Sequence, residues 1–439
     1  MTRTWWWTLL LIFLAALALR LAFVYVAPQP ENQVGDSAEF DLLARNLLAG
    51  HGLSYKEPWR PSARKTPLYP WLLAQTYRLF GPGNYAPLLT LQAILDALLV
   101  VMLAWLALWA WRKPLMGLLA AGLWALYLPG AQLAGRLLAD ALFTFLQLAG
   151  FFLFVLAVRH LTDGKRVALY AALSGLVFGL ASLTRPTSMY IPFFLALVLG
   201  GYGLWRKKAG GSFTVASSRL GMIALTMLLT LALTLTPWFV RNYRAFHQVV
   251  MGSTLVGFNF FQTHYRLDQP DYWRLPGVRA STDALHQAAM DAGLDMTAIN
   301  EAELFDFGMR YGLEMVKQYP ARFLALAGLR IMQLWFNLGF TWRPSMATLL
   351  FAAINLGLLL LAGWAEWMAW RRRRWLFSPE QPLPWVIHLS AILILLYYTA
   401  SHALVIAAGR YIIPAIPFLM ILAAGAPWRW LIFKSGAKK

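Results

Sequence analysis

Long apolar runs, separated by short polar stretches, dominate the chain. A run of ~20 mainly apolar residues is long enough to cross the hydrocarbon core of a bilayer as a helix. The first extends from Trp5 to Ala27, and it lacks the small-residue cleavage site of a signal peptide, so it reads as an uncleaved helix. Further runs occupy 85–111, 114–131, 138–158, 167–183, 186–205, 220–240, 346–369, 384–402 and 408–428. The pattern predicts an all-α polytopic membrane protein with about 10 transmembrane helices, in a range of about 10–12. Residues 321–341 are apolar too, but they open at Pro320 and carry Arg322 and Arg330. That combination predicts an interfacial helix rather than a span.

Two long polar segments interrupt the runs, at 28–84 and 241–345. Within the second, Thr282–Gly293 and Ala298–Gln318 have helical spacing. The remaining connections are short and basic (206–219), or hold the block Arg371, Arg372, Arg373 and Arg374. Basic short loops stay in the cytoplasm. Both termini are therefore expected inside and both long segments outside. One transmembrane unit is expected over 1–430, followed by a basic cytoplasmic tail at 431–439. The expected location is the cytoplasmic (inner) membrane, with soluble chemistry on its periplasmic or extracellular side.

Composition narrows the function. Of 439 residues, 59% are hydrophobic and 13% charged, with a mean hydropathy of +0.55. That excludes disorder and an ordinary soluble enzyme. The absence of cysteine excludes disulfides, zinc fingers and thiol nucleophiles. The net charge of +19 sits between apolar runs, so topology and anionic lipid account for it better than nucleic acid does. No Walker A sequence, dinucleotide fingerprint or His-Glu-x-x-His occurs. An outward-facing enzyme without cytosolic nucleotide needs a substrate already activated and delivered through the membrane. A lipid-phosphate sugar meets that need.

Charged residues at helix ends supply candidate chemistry. Asp36, in Gly35–Phe40 (GDSAEF), and Asp140, in Gly135–Phe145 (GRLLADALFTF), face the same outer interface in the expected topology. Two such carboxylates can hold a hydroxyl and take its proton; the plainer alternative is helix capping or a salt bridge. Lys65, Arg185, Arg241 (next to Asn242) and Arg410 end apolar helices on the outer side, against the positive-inside bias. A phosphate group would supply the reason, and snorkelling to lipid headgroups is the alternative. His264 and His402 lie on the outer face, where a lone histidine is usually structural. Arg20 and Asp96 lie inside apolar helices and are expected to pair, tying the first span to the second. Gly175 and Gly179 form a GxxxG step, a helix-packing face. Trp5, Trp6, Trp7, Trp428 and Trp430 form an expected interfacial belt. A transporter or flippase of a lipid-linked sugar is the rival reading. It would need polar residues through the whole membrane depth, whereas intramembrane charge is sparse beyond Arg20 and Asp96.

These stretches, with ARKTPLYPW (63–71), LTRPT (183–187), TPWFVRNY (236–243) and GRYIIPAIPF (409–418) in this order, resemble the polytopic GT-C-fold glycosyltransferases. The likeness is to the protein O-mannosyltransferase and lipid A aminoarabinose transferase type. The resemblance implies transfer of a sugar from a polyprenyl phosphate to an acceptor hydroxyl, with inversion. It implies Asp36 as general base and Asp140 at the acceptor. Lys65, Arg241 and Arg410 would hold the donor phosphate. The same motifs put Glu39, Tyr69, Arg136, Arg185, Asn242 and Tyr411 in the substrate site, joined by His264 of the long outer loop. No cofactor or metal is implied as a requirement, although some relatives use a divalent cation. The implied partners are the polyprenyl-phosphate sugar, a glycan, lipid or protein acceptor, and the bilayer, with no nucleic acid. Two departures stand out: Ser37 replaces a second acidic residue, and Thr66-Pro67 replaces two prolines.

Overall fold

A computed structural model describes residues 1–27, 35–208, 215–338, 344–371 and 381–426. Eight helices among them are long and apolar enough to cross a membrane. They are α1 (Arg3–Tyr25), α4 (Ala86–Trp111), α7 (Asp140–Arg159), α8 (Gly164–Ser182), α9 (Ile191–Lys208), α10 (Val215–Phe246), α15 (Met346–Arg371) and α16 (Pro382–Leu404). The two other expected spans take different forms. Residues 114–131 make α5 (Pro114–Ala125) and α6 (Leu128–Ala134), bent by 59° at the break. Residues 408–428 make a 3-10 turn (Gly409–Ala415) and the short α17 (Ile416–Ala423). The expected tail at 431–439, Arg372–Arg374, Trp428 and Trp430 lie outside the described residues.

A break in a helix exposes carbonyls that lipid cannot satisfy. Here Arg20 satisfies them. It is fully buried, its Nη1 and Nη2 each donate at 2.8 Å to the carbonyls of Ala125 and Trp124, and its Nε donates to Asp96 at 2.6 Å. The ion pair read from sequence thus exists, and it does more than join α1 to α4: it closes the end of α5 where the chain turns. The GxxxG step also packs as expected. A Cβ at Gly175 would lie 2.1 Å from the carbonyl oxygen of Met227, so α8 and α10 approach backbone to backbone.

The polar segments fold over one end of this bundle. The first carries α2 (Asp36–Leu48) and α3 (Leu68–Phe80). The second carries α11 (Leu255–His264), α12 (Val278–Asp291) and α13 (Glu301–Gln318). The last two match the segments with helical spacing to within a few residues. Asn300 and Glu303 form a capping box that starts α13. The apolar segment that opens at Pro320 is α14 (Pro320–Phe336), packed on α15 and α16. Its Arg330 is buried, and donates to the carbonyls of Thr263 and Ala403 and to the His264 ring. Arg330 therefore ties α14 to α11 and to the end of α16.

Candidate active site

The turn after α8, the N-terminus of α7 and the 3-10 turn after α16 meet under α2 and α11 around a cavity of about 720 Å³. Asp36, Glu39, Lys65, Arg136, Asp140, Arg185, Arg410 and Tyr411 all line it. The fold thus brings together residues separated by hundreds of positions.

Gly35 makes the first step. Its φ of 58° is open to glycine at no steric cost, and the turn puts Asp36 at the first position of α2. There the helix N-terminus favours carboxylates. Asp36 Oδ1 accepts from Lys65 Nζ at 2.6 Å, and Oδ2 accepts from the Arg410 guanidinium. Burial opposes ionisation of Asp36, but the flanking Lys65 and Arg410 cations override it and hold the carboxyl well below the usual carboxylate range. Lys65 also lies 3.3 Å from Glu39, whose other oxygen is 3.7 Å from Arg64. Asp140 begins α7, is 2% exposed, and accepts from Arg185 at 2.7 Å. Arg185 and Arg410 share a face-on platform: their guanidinium carbons lie 5.2 and 5.3 Å from the centre of the Tyr411 ring.

Lys65 owes its position to a braced strand of loop. Arg241 donates to the carbonyl of Ser62 at 2.9 Å, and Ala63 N donates to Glu301 at 2.9 Å. Thr254 N donates to the carbonyl of Ala63 at 3.1 Å, and Thr66 Oγ1 donates to that of Thr184 at 2.8 Å. The second long segment and the turn after α8 therefore clamp residues 62–66. Arg241 and Asn242, expected in the substrate site, do not line the cavity. Arg241 is a brace stacked on Trp238, and buried Asn242 donates to the carbonyl of Val250. Tyr69 is fully buried edge-on to Phe40. Burial, with the negative charges of Asp140 and Tyr77 nearby, raises its hydroxyl pKa far above the ordinary value. His264 faces Arg330 instead of the cavity, and burial and that cation lower its pKa to about 3. Arg64, Gln262 and Tyr398 also line the cavity, and Glu301 braces it; Arg64 stands beside Lys65 in ARKTPLYPW, whereas no local pattern marks the other three, which reach the site through tertiary contacts.

Each carboxylate of the cavity is engaged by a cation. Among the described residues, no group of three or more His, Asp or Glu side chains could hold a metal ion. A cavity in which Lys and Arg already occupy the carboxylate oxygens is fitted to an anion, and its donor set does not form a divalent-cation cradle.

Residues 39–249 match the family model described as dolichyl-phosphate-mannose-protein mannosyltransferase. No curated protein matches the chain in sequence. Among solved structures, the chain overlays the oligosaccharyltransferase AglB of Archaeoglobus fulgidus, solved with an inhibitory peptide and a dolichol-phosphate. The TM-score is 0.55 at 14% identity, over 98% of this chain and 52% of that one. The apo form of the Archaeoglobus fulgidus oligosaccharyltransferase gives a TM-score of 0.57 at 16% identity, over 98% and 51%. The chain shares the GT-C fold of these structures. It spans about half the length of those archaeal chains. A looser overlay is with ArnT of Cupriavidus metallidurans bound to undecaprenyl phosphate, at a TM-score of 0.37 and 14% identity, over 97% and 79%. Within this GT-C chain the family match includes Lys65, Asp140, Arg185 and Arg241, but not Asp36 or Arg410. Those two residues join the site through the fold.

Proposed function

We propose that this GT-C chain transfers a sugar from a polyprenyl-phosphate donor to an acceptor hydroxyl, at the outer face of the cytoplasmic membrane and with both termini in the cytoplasm. One observation carries the reading: Asp36 held between Lys65 and Arg410 at the wall of a cavity where helix ends meet. In the donor-free state the carboxylate occupies the cations. A sugar phosphodiester brings an anion that competes for them. As Lys65 and Arg410 turn to the phosphate, Asp36 loses its stabilising partners, its pKa rises, and it becomes a stronger base.

The transfer is then a single displacement with inversion. The acceptor oxygen attacks the anomeric carbon and its proton passes to Asp36. The bond from that carbon to the phosphate oxygen breaks, and the electron pair leaves with the lipid phosphate. Charge grows on that group in the transition state, where Lys65 and Arg410 meet it selectively. Asp140, oriented by Arg185, faces the acceptor or the positive charge developing on the sugar.

The test is binding followed by transfer in the purified, full-length protein. Lys65→Met removes a charge-assisted contact, so undecaprenyl phosphate should bind ~10- to 100-fold more weakly and transfer should fall with it. Unchanged binding would remove Lys65 from the phosphate site.

A further inference from the structure

We infer that His402 is the hydrogen-bond acceptor that reads a hydroxyl of the donor sugar, an assignment that rests on the transfer reaction proposed above. His402 lines the cavity near the C-terminal end of α16. Its Nδ1 lies 3.0 Å from the carbonyl oxygen of Ile406. A carbonyl only accepts, so Nδ1 carries the proton and Nε2 carries the lone pair. Nε2 makes no hydrogen bond among the described residues.

That lone pair is distinctive in its surroundings. Asp36 is engaged by Lys65 and Arg410, Glu39 by Lys65 and Arg64, and Asp140 by Arg185. His402 is a neutral acceptor in a cavity whose carboxylates are all occupied.

Its position fits a sugar. The imidazole stacks on Tyr411, with ring centres 5.2 Å apart and planes 25° from parallel. The same Tyr411 ring carries Arg410, which holds Asp36, and Arg185, which holds Asp140. His402 and the cations of both ion pairs therefore border one aromatic ring. A donor whose phosphate lies on Lys65 and Arg410 and whose anomeric carbon faces Asp36 extends its ring toward Tyr411 and His402. A site built to hydrogen-bond a hydroxyl discriminates strongly against ligands that lack it, because its own polar group is then left unpaired. His402 would thus select the donor by its sugar, while the cations bind its phosphate.

The two roles separate experimentally. The wild-type protein, His402→Phe and His402→Gln would be purified in nanodiscs. Each would be titrated with undecaprenyl phosphate, which has no sugar, and with the glycosylated undecaprenyl phosphate that the wild type uses as donor. Phe keeps a ring on Tyr411 and removes the acceptor, whereas Gln restores an oxygen acceptor. His402→Phe should bind undecaprenyl phosphate within about twofold of wild type, and the glycosylated donor ~10-fold or more weakly. His402→Gln should recover part of that loss. Equal weakening for both lipids would make His402 merely structural and overturn the assignment, as would undiminished binding of the glycosylated donor by His402→Phe. If the wild type uses no glycosylated lipid while still binding undecaprenyl phosphate, the transfer reading falls, and the assignment falls with it.

Discussion

At the scale of single residues, the site is defined by which charges are satisfied by which. Asp36 makes the clearest case. Its carboxyl is held below the usual range by Lys65 and Arg410, so its ion pairs persist above the unfolded value and are lost only as pH falls through the lower folded value. In the free protein this group adds no pH dependence between about pH 5 and 8. If donor phosphate draws the cations away, the same carboxyl titrates higher in the bound state. The acid limb of kcat should then lie above that of kcat/KM, since the first reports the complex and the second the free enzyme. Coincident limbs in a pH–rate profile would argue against cation exchange. His264 gives a second pH effect with a different origin. Its pKa is lowered to about 3 by burial and by Arg330, so the unfolded chain binds a proton below about pH 6.5 that the folded one refuses. Stability should drop progressively as pH falls from there toward 3. His264→Gln retains an acceptor for Arg330 and should flatten that drop, as melting temperatures in detergent at pH 4.5 and 7 would reveal.

At the scale of elements, close approach and bracing set the tolerances. A side chain at Gly175 meets the backbone of Met227 at 2.1 Å, so Gly175→Val should disrupt the α8–α10 contact and lower yield and melting temperature by overpacking. Gly200 has nothing within 4 Å, and Gly200→Ala should be neutral or slightly stabilising. Glu301 braces residues 63 and 254 with one carboxylate oxygen. Glu301→Ala should loosen the strand that presents Lys65 and weaken binding of undecaprenyl phosphate roughly 5-fold without altering the spans; unchanged binding would show that the strand holds itself. The legibility of these elements follows their physics. Spans are local and long, so hydropathy found them. Asp140, Arg185 and Arg410 were legible because a charge at the end of an apolar helix needs a reason; Lys65, expected at such an end, lies instead in the loop between α2 and α3, and it and Asp36 were legible through the ARKTPLYPW and GDSAEF motifs. Arg241 ends a helix as well, yet its reason is the carbonyl of Ser62. End position alone does not separate a brace from a ligand. Arg64 and Glu301 sit in the long polar segments, where charge is cheap and carries no signal.

At the scale of the whole molecule, a buried ion pair and a broken helix depend on each other. Arg20 neutralises Asp96 and at the same time caps α5 where the chain bends by 59°. Removing one partner leaves a charge stranded in the bundle, typically at about 3–5 kcal/mol. Asp96→Leu should therefore destabilise the detergent-solubilised protein strongly. Arg20→Met with Asp96→Leu should recover part of the loss, the remainder reporting the carbonyls of Trp124 and Ala125 left without a donor. No recovery in the double variant would mean that capping outweighs charge pairing. This bend was not legible from hydropathy, because residues 114–131 are apolar throughout. The cause lies in a residue from another helix, one hundred positions away.

Transfer by this cavity is tested most directly by a transfer assay in detergent micelles. Wild type and Asp36→Asn would each be given a panel of radiolabelled polyprenyl-phosphate sugars and a crude envelope acceptor. Wild type should move label from one donor, and the folded variant should do so ~10²–10⁴-fold more slowly. Equal rates from the two proteins would contradict Asp36 as the base and the reading built on it.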